Sequence, residues 1–398
     1  MTWCPLTRKP TSTRSLTSNL TGNNAQLGGV RLTDETWMAR ALVLAHRGIA
    51  LAHPNPMVGA VVVKNDRVVG EGFHTYEGRK HAEIIAVEQA RGDARHATLY
   101  VNLEPCCHVG RTGPCTKAVI DAGFKRVVVA MRDPNPAVAG RGIRALRAAG
   151  IEVVPGVREE DARQLNETFA KWIRTKLPFV TLKTALTLDG QIAVRTGSAT
   201  WITSEASREE VQRMRHESDA LLTGIGTVLA DDPRMTDRTR LPRRRPLVRA
   251  IVDSKLRVPL KSGIVKSAKN DVLIFTTQSA VSAKAKLLRK AGVEVVQVRS
   301  RARHVDLQEV LREMGKREIL SMILEAGGEL NGAMLQAGLI DKVVLFYAPK
   351  IMGVGGVPMA QATPQWFRRA PALSQLSFRR YGPDFVVQGY FHDVYRHH

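Results

Sequence analysis

Four residues of this chain point most directly to chemistry: His81, Glu83, Cys106 and Cys115. His81-Ala82-Glu83 comes first. After a gap follows Glu104-Pro105-Cys106-Cys107-His108-Val109-Gly110-Arg111-Thr112-Gly113-Pro114-Cys115. An imidazole and two thiolates are zinc ligands, and a catalytic zinc keeps a fourth position for water. Water held there becomes a usable hydroxide near neutral pH. Glu83 lies two residues from His81, close enough to move protons on that water. The alternative is a closed structural site, with Cys107 or His108 as fourth ligand. Adjacent side chains diverge, which disfavours Cys106 and Cys107 on one ion.

The elements that must position these residues show in the periodicity. Thr33 and Asp34 cap a helix through Trp37, Met38, Ala41, Leu42 and Ala45, which Gly48 stops. His53-Pro54-Asn55-Pro56-Met57-Val58-Gly59 is a stiff loop. Val58 to Val63 and Arg67 to Gly72 flank Lys64-Asn65-Asp66 as a β-hairpin. A helix is expected over His81–Ala90 and a strand over Ala97–Leu103, with Cys106 opening the next helix. Strand Arg126–Ala130, helix Arg141–Ala149 and strand Ile151–Val154 complete a three-layer α/β unit. His81 and Cys106 then sit at helix N-termini, where the dipole favours thiolate.

Arg158 to Arg174 reads as one connecting helix, and Leu177-Pro178-Phe179 marks a boundary. A second α/β unit opens with Phe179–Lys183. Its strands include Ala220–Thr223, Val248–Val252, Val272–Phe275, Val293–Val298, Ser321–Leu324 and Lys342–Tyr347. Two glycine-bearing turns follow strands: Gly224-Ile225-Gly226-Thr227, and the stretch from Glu325 through Gly327 and Gly328 to Ala333. Such turns let backbone N–H groups approach phosphate, and two of them suit a dinucleotide. They also serve simply to close tight strand–helix connections. The stretch Arg238–Arg249 holds six arginines and no acid, and reads as an exposed loop. The domains expected are a tail at 1–32, then 33–176 and 177–398.

With 44% hydrophobic and 24% charged residues, the 398-residue chain has an ordinary globular composition. No apolar run approaches the ~18 residues of a membrane helix. Three of the four cysteines fall within ten residues, which suits a metal in a reducing compartment better than a disulfide framework. The expected location is the cytoplasm. Residues 1–32 lack acids and are rich in Ser and Thr, a transit-peptide-like composition. A disordered tail or an upstream start codon explains it equally well. The net charge of +22 attracts polyanions. Aromatics are only 5% and no nucleic-acid motif accompanies the charge.

His-x-Glu followed by Pro-Cys is the pattern of zinc deaminases. Here eight residues separate the two cysteines, not the two of nucleic-acid and cytidine deaminases. Pro105-Cys106, His108, Gly110-Arg111-Thr112 and Pro114-Cys115 together resemble the deaminase half of the bifunctional riboflavin-biosynthesis deaminase–reductases. Pro54-Asn55-Pro56, Val58-Gly59, Gly72-Phe73-His74 and Asp133-Pro134-Asn135-Pro136 are similar to that family too. In the second half the resemblance continues through Lys183-Thr184-Ala185, Leu188-Asp189-Gly190, Trp201-Ile202-Thr203, Thr227–Pro233 and Glu325–Ala333. It covers roughly residues 33–395.

The resemblance implies a cytidine-deaminase-like domain followed by a dihydrofolate-reductase-like domain. It implies zinc on His81, Cys106 and Cys115, with Glu83 as proton shuttle. Asn55, His74, Arg111, Asp133 and Asn135 would hold a pyrimidine and its ribose phosphate. NADPH would lie against Ala185, Trp201, Ile202, Thr227, Asp231, Ser254, Gly327, Gly328, Glu329, Leu330, Asn331, Gly332 and Ala333. Lys183, Arg215, Met235, Arg238 and Glu325 would face the reductase substrate. Arg215 and Arg238 suit a substrate phosphate, and Lys255 or Arg257 the NADP 2′-phosphate. Cys107 and Ala199 stand where the family usually carries serine. Asp189 and Asp232 read as turn or capping residues. The implied partners are phosphoribosylated pyrimidines and further copies of the chain, with no membrane. The alternatives are a zinc deaminase acting on RNA or single-stranded DNA, a zinc-stabilised binding protein, or a chain with one active half.

Overall fold

The computed structural model describes residues 33–108, 113–194, 202–277, 283–368, 370 and 372–396. Helix α1 (Asp34–His46) follows Thr33 and ends before Gly48. Strands β1 (Gly59–Lys64) and β2 (Arg67–Phe73) form the expected hairpin. Its turn residues Asn65 and Asp66 have φ of 50° and 56°, a conformation these side chains tolerate and whose twist matches the strands. Next come α2 (Ala82–Ala90), β3 (Thr98–Leu103), α3 (Cys115–Asp121), β4 (Arg126–Met131), α4 (Arg141–Ala148) and β5 (Glu152–Pro155). The sheet runs β2-β1-β3-β4-β5. β1 is antiparallel to both neighbours, while β3, β4 and β5 are parallel.

Glycines let helices lie directly on this sheet. A Cβ on Gly59 would fall 2.1 Å from the Ala41 carbonyl oxygen of α1, and one on Gly72 2.3 Å from the Ala82 oxygen of α2. Gly72 pairs with Ala60, the neighbour of Gly59. Successive strand residues face opposite sides, so α1 and α2 cover opposite faces of a three-layer unit.

Two local expectations are corrected. Cys106 does not open a helix; α3 starts at Cys115, after Pro114. Cys106 instead caps that helix from outside: its carbonyl accepts the Thr116 N–H at 3.1 Å and its sulfur the Cys115 N–H at 3.3 Å. The connecting helix is also two helices, α5 (Glu159–Leu165) and α6 (Glu167–Thr175). The break is Asn166, whose buried amide accepts from Met57 N (2.8 Å) and donates to Met57 O (3.0 Å).

Beyond α6 the chain forms β6 (Phe179–Leu186), β7 (Gln191–Val194), α7 (Glu205–Glu217), β8 (Ala220–Gly224), α8 (Ile225–Asp231), β9 (Val248–Val252), α9 (Gly263–Lys266), β10 (Val272–Thr277), α10 (Ala283–Lys290), β11 (Val293–Val298), β12 (Ser300–Arg301), β13 (His304–Val305), α11 (Leu307–Lys316), β14 (Ser321–Leu324), α12 (Gly328–Gln336), β15 (Lys342–Tyr347), β16 (Gly356–Pro358), β17 (Ser374–Tyr381) and β18 (Asp384–Tyr390). Nine of these strands make one sheet, β11-β10-β9-β8-β14-β6-β15-β18-β17. It is parallel from β11 to β15; β18 and β17 add antiparallel strands. Separate apolar clusters form around Leu182 and Phe275 and around Ile251 and Ile274.

The arginine-rich stretch is not simply an exposed loop. Arg238 and Arg240 are exposed, but Arg243, Arg244 and Arg245 are half-buried and Arg249 is buried. Arg249 forks onto Asp271 (3.0 and 2.8 Å). Arg244 and Arg245 meet carbonyl oxygens of other segments, including His53 O at 2.8 Å and Arg317 O at 3.2 Å. Local composition shows the charge but not these distant carbonyls. Further contacts join the two sheets' surroundings: His53 Nδ1 lies 3.0 Å from both Asp219 oxygens, Lys171 meets Asp341 and Lys342 meets Glu167.

Candidate active site

The Nδ1 atom of His81 is 3.0 Å from Cys115 Sγ and 3.5 Å from Cys106 Sγ. The three candidate ligand atoms all lie within 4.8 Å of one another. His81 is the N-cap of α2 and Cys115 the first residue of α3. The hydrogen bond from the Cys115 thiol, then His81, holds the Cys106 thiol down at about 4 despite burial. The shared hydrogen bond pushes the Cys115 thiol the other way, upward, with burial adding to it. Two sulfurs and a nitrogen converging at this separation fit a tetrahedral zinc, whose bonds to sulfur and nitrogen are about 2.3 and 2.0 Å.

Glu83 is the second residue of α2, in its first turn, and is 4% exposed. Burial raises its carboxyl above the ordinary range, with His81 pulling down and Cys106 pushing up. A carboxyl that holds a proton more readily than usual suits general acid–base work. His74, also buried, has its ring 5.4 Å from that of His81, edge on. Its Nδ1–H donates to Lys80 O at 2.9 Å, which leaves Nε2 to accept from Asn55 Nδ2 at 2.9 Å. Asn55, His74, His81 and Glu83 are thus brought together.

Asp133 and Asn135 stand in the loop after β4. Asp133 Oδ1 accepts from Asn135 N (2.8 Å) and Asn135 Oδ1 from Ala137 N (3.0 Å). Burial lifts the Asp133 carboxyl to about 7, against the pull of that Asn135 N–H. Arg111 lies outside the described residues. The buried Glu104 has an unforeseen task. Its carboxylate accepts from Asp133 N, Gly140 N and Ile143 N at 3.2, 2.8 and 3.0 Å. It shapes the Asp133–Asn135 loop; the available signal was a charged residue ending an otherwise buried strand.

In the second sheet Lys183, Arg215 and Glu325 converge. Arg215 forks onto Glu325 with two 2.8 Å bonds and donates to Thr236 O at 3.1 Å. Lys183 Nζ is 3.7 Å from Glu325. Burial pushes the Glu325 carboxyl up, but Lys183 and Arg215 more than offset it and hold it at about 2. Burial lowers the Lys183 ammonium against the Glu325 charge. Met235 is packed in the apolar cluster with Ile251, and Arg238 is exposed, with its backbone N–H on Gln212.

The turns following β9, β8 and β14 all lie at the carboxyl edge of adjacent parallel strands, where open α/β sheets take ligands. Ser254 follows β9, Thr227 lies in α8 after β8, and Gly327 caps α12 after β14. A Cβ on Gly327 would be 3.9 Å from Thr227 Oγ1, and one on Gly224 3.5 Å from Leu330, so the two glycine turns adjoin. Asp231, Glu329 and Ala333 are exposed, Ile202 half-buried, and Ala185 faces Phe346 in the β6–β15 register. Ser254 Oγ accepts from Val305 N at 3.0 Å. Lys255 and Arg257 are exposed nearby in sequence. Gly328 and Gly332 admit backbone rather than ligand: a Cβ would meet Pro358 O at 2.6 Å and Gln361 O at 2.0 Å. Asn331 is buried and donates to Ala326 O and Met359 O. Asp189 accepts from Gly353 N and Asp232 from Gly263 N, as turn and cap residues do. Trp201 and Ala199 lie outside the described residues.

Residues 31–131 match the family model of the cytidine and deoxycytidylate deaminase zinc-binding region, and residues 178–387 that of the RibD C-terminal domain. A riboflavin biosynthesis protein RibD from Actinobacillus pleuropneumoniae is 43% identical over 81% of this chain and 85% of its own length. The chain belongs to the RibD family. RibD of Acinetobacter baumannii, a solved structure, is 37% identical with a TM-score of 0.80, covering 90% of this chain and 99% of that one. The diaminohydroxyphosphoribosylaminopyrimidine deaminase/5-amino-6-(5-phosphoribosylamino)uracil reductase of Thermotoga maritima is 37% identical, with a TM-score of 0.76 over 90% and 98% of the two chains. A RibD chain is a bifunctional enzyme of riboflavin biosynthesis. Its cytidine-deaminase-like half is a zinc-dependent deaminase and its dihydrofolate-reductase-like half an NADPH-dependent reductase acting on phosphoribosylated pyrimidines. A RibD match along both halves does not favour a nucleic-acid deaminase. Among the described residues no helix is long and apolar enough to cross a membrane.

Proposed function

We propose that the first half converts 2,5-diamino-6-(5-phosphoribosylamino)pyrimidin-4(3H)-one to 5-amino-6-(5-phosphoribosylamino)uracil, and that the second reduces the ribosyl group of that product to ribityl. The observation that carries this is the buried Glu83 beside the His81, Cys106 and Cys115 cluster, in one chain with the Lys183–Arg215–Glu325 cluster below two adjoining glycine turns.

In the first half His81, Cys106 and Cys115 hold zinc, which when bound supplies Lewis acidity toward water. Glu83 would take up a proton from the attacking water and return protons to the ring nitrogen and the departing ammonia. Asn55, with its amide fixed by His74, aligns the pyrimidine; Asp133, Asn135 and Arg111 hold the ring and its ribose phosphate. In the second half Ala185, Trp201, Ile202, Thr227, Asp231, Ser254 and the Gly327–Ala333 turn would hold NADPH, which would supply the hydride. Lys183 meets the opened sugar at C1′. Arg215, its fork held by Glu325, acts here as a positioning residue, and the exposed Arg238 is the freer guanidinium for a phosphate. Asn331, Gly328 and Gly332 shape the nucleotide turn from behind. The division falls at 33–176 and 177–398, the enzyme is cytoplasmic, and it assembles as a homo-oligomer.

The test is a one-pot assay of the purified chain with the diaminopyrimidine ribotide, zinc and NADPH. Ammonia release should precede NADPH oxidation, and NADPH oxidation should require the deaminated product. Ammonia without NADPH oxidation would confine the reading to the first half. Neither signal from zinc-loaded, folded protein would reject the substrate.

A further inference from the structure

The loop that carries Asn55 is held from two sides, and only one of them belongs to the deaminase half. On its C-terminal side, Met57 O accepts from the amides of Asn102 and Asn166, both at 3.0 Å. On its N-terminal side the anchors come from the second half. Arg244 Nη1 donates to His53 O at 2.8 Å, and Arg244 N donates to Ala50 O at 2.8 Å. The Arg244 guanidinium lies 3.5 Å over the Tyr76 ring, and Tyr76 N in turn donates to Leu51 O at 3.0 Å. Arg244 also reaches Glu77 at 3.3 Å, an exposed contact of little weight. His53 Nδ1 sits 3.0 Å from both oxygens of Asp219, the residue just before β8. Asp219 is fixed in its own half by Leu320 N, Ser321 N and Ser321 Oγ at 2.8 to 3.1 Å.

We infer that Arg244, from the reductase half, is a positioning residue for the deamination reaction: with Asp219 it sets His53 and so the direction of Asn55. This rests on the reading of Asn55 as a pyrimidine contact. Asn55 is two residues from His53, its own N–H is bonded to Ala52 O at 3.0 Å, and its amide ends on His74. A shift of the Ala50–His53 backbone therefore turns the amide away from the ring it must meet. Arg244 touches neither the metal ligands nor Glu83. Losing it alters where the substrate sits and not how protons move.

The experiment compares Arg244→Met in the full-length parent with the same change in an Asn55→Ala background, reading deaminase KM and kcat, zinc content and reductase rate on supplied deaminated substrate. The expected result is a deaminase KM raised about tenfold, from the lost alignment, with kcat little changed. Zinc and the reductase rate stay at parental values. In the Asn55→Ala background the same change should move KM by less than about twofold, since residues acting as one unit are non-additive. Arg244→Lys, which keeps a cation over Tyr76, should recover part of the loss and replaces the Met variant if that chain fails to fold. An unchanged KM in the parent overturns the inference, as does an equal loss in both backgrounds. An Asn55→Ala chain with parental deaminase kinetics also overturns it, by removing the reading beneath it.

Discussion

Glu83 and Glu325 are both buried carboxylates, and their surroundings drive them in opposite directions. Glu83 is raised by burial, in the first turn of the helix that His81 caps. Glu83→Gln should lower ammonia release by roughly 10² to 10⁴, the usual worth of a positioned acid–base. Zinc content and the reductase rate should stay at parental values, and zinc loss in the variant would assign Glu83 to the ligand sphere instead. Glu325 is a shared counterion for Lys183 and Arg215. Glu325→Gln leaves two nearly buried cations without it. Breaking such a group costs about 3–5 kcal/mol, read as a lower denaturant midpoint for the second half, together with loss of NADPH oxidation and retained deamination. The chemistry of His81, Glu83, Cys106 and Cys115 was legible from residue type and spacing, because ligand identity is itself a constraint on sequence. The work of Glu104 was not: its three N–H partners come from residues 29 to 39 positions away.

At the scale of elements, the hairpin around Asn65-Asp66, helix α2, the strands of the first sheet and the seven parallel strands of the second follow from periodicity and turn residues, whereas β17 and β18 were not foreseen. Two boundaries escaped that logic. The start of α3 depends on Cys106 reaching back to cap it, and the break between α5 and α6 depends on Asn166 bonding Met57, 109 positions earlier. A local window sees neither partner. Helix α2 carries Glu83 and follows His81, so its height above β2 governs the site. Gly72→Ala would place a Cβ 2.3 Å from Ala82 O and 2.8 Å from Ile85 Cβ. Interiors do not absorb such overlap without backbone shifts, at about 1–3 kcal/mol. The variant should retain less zinc after dialysis and melt lower than the parent. Gly92→Ala, with open space around its Cβ, should retain zinc like the parent.

Across the whole molecule the joint between the halves is built from ionic groups as well as packing. Burial raises the Asp219 carboxyl, yet His53 and Arg245 overcome this and hold it at about 2, below its ordinary 3.8. A depressed acid contributes stability that is fully present above its unfolded value and is lost as pH falls through the folded one. Over that window the contribution is at most about 2 kcal/mol. Asp219→Asn should therefore be less stable than the parent at pH 6, with the gap closing between pH ~4 and ~2, as followed by urea titration at each pH. A gap that widens on acidification would show that the carboxylate does not stabilise the joint. The sequence signalled two units, but not that the arginine run between α8 and β9 would join them, because each guanidinium needed a distant carbonyl or ring to declare its role.

The segment after β18 turns back to the first half: Tyr395 donates to Arg163 O at 2.8 Å across 232 positions of sequence, and Arg174 donates to Val394 O. During translation those positions take on the order of 10–50 s to be made. Helices α5 and α6 thus leave the ribosome well before their last partners exist. A chain stalled or cut ahead of residue 390 would present that unfinished surface to chaperones and proteases, although the residues removed lie nowhere near the zinc ligands in sequence. Limited proteolysis of nascent chains arrested at successive lengths would show cleavage at α5–α6 persisting until Tyr395 emerges.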